Sequence, residues 1–301
     1  MRKAFLRMVA QIKSKLTLTQ IADFIDRGRL ESALDVALRS IPPSMSEAYK
    51  DNFIAAARDT AKELGLALGD LRIVFDQTNV GAVNAMNRNT LRMVRGFSSE
   101  QRTVTRNALA RGIREGLNPR DVARTFRDSI GLTKTQEQWV ANYRRSLSTL
   151  DRDALSRALR DKRFDRTVAA AIADGRPLST TQIEAMVKRY QERMVKYRSE
   201  VIARTEALRS VHQGTEAMYE QAIQSGELKA DSLSREWNTA NDERVRESHA
   251  SMHGQVQPFG QPFVSGAGNL LNYPGDPEAP AEEVIQCRCV VGTRITNIGN
   301  A

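Results

Sequence analysis

Apolar positions recur every three or four residues along most of this chain. Phe5, Met8, Ile12 and Leu16 fall at helical spacing, with Arg2, Lys3, Arg7, Lys13 and Lys15 between them. The pattern predicts a basic amphipathic helix docked by its apolar stripe. Ile21, Phe24 and Ile25, then Leu30, Leu34, Leu38 and Ile41, repeat the period around Gly28 until Pro42 and Pro43 stop it, which predicts a helical hairpin. Ser44 with Glu47 forms a capping-box pattern opening a helix through Phe53, Ile54 and Ala57 toward Leu64. Leu71 to Phe75 reads as a short strand or an extended linker. Ser98, Ser99 and Glu100 predict a further helix start. Asn118 before Pro119 predicts another, with Val122, Phe126 and Ile130 as its stripe and Gly131 as its end. Helices capped at Thr133 and near Asp151 carry Trp139, Leu147, Leu155, Leu159, Phe164 and Val168.

The longest periodic segment opens on a second capping box, Ser179 with Gln182. Ile183, Val187, Tyr190, Met194, Tyr197, Val201, Arg204, Leu208, Val211, Thr215, Met218 and Ala222 then alternate steps of four and three. That spacing is a heptad seam, predicting a helix of about 60 Å at 1.5 Å per residue. Arg204 on such a seam needs a partner, with Glu206, Glu200 or an acid of the last segment as the source, as a buried ion pair or as part of a reactive centre. After Gly226 the pattern changes. Trp237 begins a short element, Asp242 to His253 has helical spacing, and Gly254 to Gly275 suits an ordered surface loop. Val284 to Val291 reads as a strand. The fold class expected is mainly α: a basic all-helical region over 1–178, then a domain over 179–301 made of a long helix (179–226) and a small α+β module (229–292).

Composition adds scale and sign. A chain of 301 residues with 41% hydrophobic content can bury a core and form about two domains. The longest apolar run, Val168 to Ala173, is far too short to cross a bilayer, and no secretory signal pattern occurs, so the cytoplasm, or wherever a cytoplasmic particle carries the protein, is the expected location. The net charge of +9 is unevenly spread. Residues 199–301 hold 8 Lys+Arg against 14 Asp+Glu, leaving 37 against 22 for residues 1–198. A sign split of this kind marks a polyanion-binding surface joined to a module that is not one, or simply many solvated helix faces.

Cys287 and Cys289 stand one residue apart, which excludes a disulfide framework. On a strand they share a face, with Arg288 opposite; His249 and His253, four apart on a helix, also share one. Two imidazoles and two thiols are the ligand set of a tetrahedral structural zinc site. The same residues also read as small buried hydrophobes and satisfied polar side chains. A helical HExxH metalloprotease motif is absent because Ala250 stands where Glu is required.

The succession RTEALRSVHQG, then Trp237 with DERVRESH and MHG, then LNYPGDPEAP and CRC resembles the C-terminal domain of the phage head morphogenesis proteins typified by Mu protein F. The resemblance spans about residues 180–292. It rests on Arg204, Thr205 and Glu206; Trp237; Asp242, Arg244, Arg246 and His249; Gly254; Pro274, Gly275, Asp276 and Pro277; and Cys287, Arg288 and Cys289. His253 departs from the family, which more often has an acid there, so His249 and the two thiols are the part the resemblance carries. His253 or Asp276 is the expected completion of any zinc site. The resemblance implies a minor head protein of a tailed phage. It would be associated with the portal, other head proteins and packaged double-stranded DNA, located in the head interior, and acting in morphogenesis or DNA delivery without catalysis. Phosphate neutralisation by Lys and Arg would make its DNA binding sequence-independent. Two competing readings are a hydrolase or nuclease built on Arg204, Glu206, Asp242, His249 and the thiols, and a nucleic-acid-binding protein outside any virion. For the former, no nucleophile elbow, phosphate loop or paired carboxylates can be recognised.

Overall fold

Side-chain caps decide where several helices begin. Thr17, Asn118, Thr133 and Ser179 each accept a hydrogen bond from the backbone N–H three residues on, at 3.2, 3.0, 3.1 and 3.3 Å. Gln20, Gln136 and Gln182 complete capping boxes by accepting from the cap N–H. The computed structural model describes residues 1–296 apart from 16, 28, 30–31, 33–34, 37, 39–43, 70 and 115–117. The expectations for Leu16, Gly28, Leu30, Leu34, Ile41, Pro42 and Pro43 lie outside the described residues.

The helices in chain order are α1 (Arg2–Ser14), α2 (Leu18–Asp26), α3 (Ser44–Ala67), α4 (Val80–Arg114), α5 (Pro119–Ser129), α6 (Lys134–Ser148), α7 (Asp165–Asp174) and α8 (Thr180–Gln224). Short 3-10 turns at Arg152–Leu155 and Lys162–Phe164 join α6 to α7. Beyond α8 come β1 (Leu233–Asn238), α9 (Glu247–Ala250), β2 (Val256–Pro258), β3 (Phe263–Val264), β4 (Leu270–Leu271), α10 (Ala281–Val284) and β5 (Val290–Ile295). The expected class, mainly α with a long helix and a small C-terminal strand module, is what the chain adopts.

Several local expectations are corrected. No helix starts at Ser98; α4 runs through Ser98, Ser99 and Glu100 without a break, since no proline interrupts it. Leu71 to Phe75 is neither helix nor strand, and the Ile73 N–H closes a tight turn onto the Leu71 carbonyl at 3.1 Å. Trp237 lies near the end of β1 and does not open it. The Gly254 to Gly275 stretch contains β2, β3 and β4. Val284 to Val291 is not one strand: α10 ends at Val284, Gln286 turns with φ +57°, and pairing resumes only at Val290.

The heptad seam of α8 holds at both ends and fails in the middle. Val187, Tyr190, Met194, Met218 and Ala222 are buried, but Tyr197 and Val211 are 41% and 43% exposed, and Arg204 is exposed. An α-helix drifts by about 20° per heptad from a strict seven-residue repeat. The buried line accordingly passes to the next residue along, through Arg198, Thr205, His212 and Tyr219.

Two compact units divide the chain. One comprises Lys3–Pro42 and Met93–Glu200. Its core contains Phe5, Met8 and Ile12 of α1 and Val122, Phe126 and Ile130 around α5. Phe5 and Phe97 meet edge to face at 5.9 Å, and the Arg198 guanidinium, paired with Glu100, lies 5.6 and 5.7 Å from their centroids. The other unit comprises Met1–Arg2, Pro43–Arg92 and Val201–Ala301. There α3 lies on the C-terminal half of α8: Thr60 bonds Thr215 at 3.2 Å, and Gln213 accepts from Tyr49 and from Asn89 while donating to the Tyr273 hydroxyl at 2.8 Å. The sheet of this unit is antiparallel in the order β2-β1-β5, with Trp237 opposite Val291, and β3 pairs with β4.

Helix approach is closest at Gly214, where an added Cβ would lie 2.2 Å from the Phe53 carbonyl oxygen. Gly214→Ala gains about 1 kcal/mol of helix propensity, but overpacking of about 1–3 kcal/mol outweighs it. Chemical denaturation should therefore show net destabilisation. Gly96→Ala, where no atom lies within 4 Å of the added Cβ, should stabilise. Equal effects at both positions would refute the close approach.

Candidate functional site

Trp237 on β1, Met252 after α9, Phe263, Leu271, Cys287 and Cys289 form the buried apolar core of the C-terminal module. His249 on α9 enters the same core at 1% exposure, its ring edge-on to Trp237 at 5.5 Å. The route by which the chain brings the cysteines there is set by three motif residues. Arg246 donates to the carbonyls of Glu283 and Ile285, satisfying the open C-terminal end of α10. Thr205 accepts from the Gln286 N–H at 3.1 Å and donates to the Val201 carbonyl, fixing the left-handed turn. Arg288 forks onto Asp242, and that hydrogen bond holds the Asp242 carboxyl down at about 2.

His249 Nδ1 faces both sulfurs, 3.6 Å from Cys287 Sγ and 3.4 Å from Cys289 Sγ. The three candidate ligand atoms all lie within 4.8 Å of one another. On the far side of the ring, Nε2 lies 2.9 Å from Glu283 Oε2, off the line of a straight hydrogen bond. Glu283 is 1% exposed and accepts from Ser248 (2.9 Å), Ser265 (2.8 Å) and Asn269 (2.9 Å). Desolvation pushes its pKa up, but these bonds outweigh it and the carboxylate is held below its ordinary range. The hydrogen bond between the sulfurs, against burial and with help from His249, brings Cys287 down to about 4. The same bond, with burial, pushes Cys289 up.

The remaining predicted residues divide. His253 is exposed, its Nδ1 accepting from the Thr239 N–H at 3.2 Å, so it does not join the cluster. The reason is that α9 is only four residues long and the helix expected to align the two histidines is absent. Asp276 is buried elsewhere, accepting from Asn272 N and Nδ2 and from Glu278 N at 2.8–2.9 Å. Its neighbours Pro274, Gly275 and Pro277 shape that turn. Gly275 (φ +85°) presses on Arg209, whose Nε donates to the Gly275 carbonyl at 2.8 Å. Gly254 (φ +76°) returns the chain to β1 by donating to the Trp237 carbonyl. Glu206 pairs with Arg209 at 2.9 Å, not with Arg204, because the drift of α8 carries Arg204 outward.

Arg204 instead lines a cleft of about 280 Å³ with Arg244, Arg246 and Arg288, its floor formed by His249, Cys287 and Cys289. Sequence reasoning missed Glu283 and His212. Glu283 looks no different from Glu282 in the sequence, and only the tertiary fold buries it. His212 follows from the corrected helix phase, one residue beyond the exposed Val211.

Residues 162–292 match the family of Phage Mu protein F like proteins. The cluster, the cleft and the turn at Asp276 all fall inside the matched region. Neither the curated proteins nor the solved structures give a match. Among the described residues, no helix is long and apolar enough to cross a membrane.

The buried His212 and the half-buried Glu216 beneath this site titrate in opposite senses. Burial lowers His212 from 6.5 to about 4, so its contribution to stability is full above about 6.5 and is lost as pH falls toward 4. Burial raises Glu216 from 4.5 to about 7, outweighing its bond to Arg235, so its contribution is full below about 4.5 and is lost as pH rises toward 7. Each is worth on the order of 3 kcal/mol, and over their shared window they offset each other. In His212→Gln, stability should therefore fall as pH rises from about 4.5 to 7; in Glu216→Gln it should rise. Denaturation midpoints across this range measure both slopes.

Proposed function

We propose that this protein is a minor head protein of a tailed phage, acting in head morphogenesis near the portal and contacting packaged DNA without sequence preference. The observation that carries the reading is the Mu F-like match over residues 162–292. It supports a structural role in the virion in place of catalysis.

Charge supports the division of labour. The unit comprising Lys3–Pro42 and Met93–Glu200 holds 30 Lys+Arg against 17 Asp+Glu, a balance of +13; the unit with the Mu F-like core holds 15 against 19. On the basic unit Arg152, Lys162, Arg166 and Lys196 are exposed and, among the described residues, enter no ion pair. Such side chains are free to neutralise phosphates and release counterions. The acidic unit then docks on head proteins, the portal first.

Anisotropy titrations of the full chain with duplexes of unrelated sequence should give similar affinities that fall steeply with salt. Replacing Arg152, Lys162, Arg166 and Lys196 by Ala should reduce the log–log salt slope by up to about 0.9 for each lost phosphate contact. A flat salt dependence, or strong preference for one duplex, would overturn the DNA contact. Retention of the full chain by purified portal, surviving in the quadruple variant, tests the docking half separately.

A further inference from the structure

We propose that His249, Cys287 and Cys289 are three protein ligands of a thiophilic divalent cation, Zn²⁺ foremost, and that its fourth coordination position opens on the arginine-lined cleft to take a phosphate-class oxyanion. This goes beyond the head-protein reading and does not depend on it.

The distances come first. Zinc bonds of about 2.3 Å to sulfur and about 2.0–2.1 Å to nitrogen, at tetrahedral angles, put ligand nitrogen and sulfur about 3.5 Å apart. The two observed separations are 3.6 and 3.4 Å. A single imidazole lone pair can accept from only one S–H, yet Nδ1 is nearly equidistant from both sulfurs. A cation between the three atoms satisfies all of them at once.

The group behind the histidine fits the same assignment. Glu283 beside Nε2 favours the tautomer with its proton there, leaving the Nδ1 lone pair on the sulfur side. A carboxylate that orients a ligating histidine is the usual outer partner of such metal sites. Here it is itself fixed by Ser248, Ser265 and Asn269.

The fourth position has no protein donor among the described residues, since His253 and Asp276 are engaged elsewhere. What stands over the cluster is the cleft. Arg246 is spent on backbone carbonyls and Arg288 is neutralised by Asp242. Arg204 and Arg244 line the cleft without an ion-pair partner among the described residues. A cation with two thiolates is formally neutral, so two guanidinium forks outside any ion pair beside an open coordination position favour an anionic oxygen ligand.

The test uses the full chain purified without an affinity tag. Elemental analysis should find stoichiometric zinc. After exchange for Co²⁺, the spectrum should carry sulfur-to-metal charge transfer and the visible bands of a tetrahedral site, both lost in Cys287→Ser and Cys289→Ser. Should those variants fail to fold, Glu283→Gln, with its helical circular dichroism intact, should weaken metal affinity about 10- to 100-fold. Inorganic phosphate should shift the visible cobalt bands, and the double variant Arg204→Ala, Arg244→Ala should keep the metal and lose that shift. Only trace metal and no cobalt spectrum would overturn the metal site. Bands that do not respond to phosphate would overturn the open position.

Discussion

A buried carboxylate holds the C-terminal module together. Glu283 must be satisfied by donors, since an unpaired charge in the interior costs far more than any single contact returns. Its donors come from separate segments: Ser248 from α9, Ser265 and Asn269 from the glycine-rich stretch. The same Ser248 accepts from the Gly266 N–H at 2.8 Å. A stretch that composition alone marks as loop is thereby tied at a central point, and β3 and β4 form on either side of the tie. Fixing Glu283 also fixes α10, and with it the turn at Gln286 that delivers the two cysteines.

The long helix supplies the other half of the frame. Along its C-terminal half, Thr205 reaches Gln286, Arg209 reaches Gly275, His212 reaches the Cys289 backbone, Gln213 reaches Tyr273 and Glu216 reaches Arg235. Together these residues anchor β1, the turn over 273–276 and the segment from Gln286 to Cys289. The dense polar succession from Arg204 to Gln213 is thus a row of attachment points along one rod, and few of its members are free to do chemistry. Arg204, turned outward over the cleft, is the exception.

Helix positions were legible in the sequence wherever a local cause sets them. The caps at Asn118, Thr133 and Ser179 act over three residues, and periodicity reports the stripe beneath them. The errors arose where distant partners decide. Alternation through Cys287 and Cys289 is equally compatible with a strand and with an extended segment held by Thr205 and Arg246. Arg204 falls inside on a seven-residue template but outside on a helix that keeps 3.6 residues per turn. The convergence of His249 with the two cysteines was visible as residue chemistry. Glu283, the group that positions them, was not, because its role exists only once four segments have met.

The unit bearing the Mu F-like core takes residues 43–92 from early in the chain and 201–301 from its end. Tyr49, Thr60 and Phe53 find their places only against Gln213, Thr215 and Gly214. During synthesis, α3 therefore leaves the ribosome long before its partners exist, and its apolar face waits while the intervening residues are made. Closure of this unit is a late, long-range event, of the kind that folds slowly. The same discontinuity means that cutting the chain at the start of α8 removes part of the core from the piece that keeps the motifs.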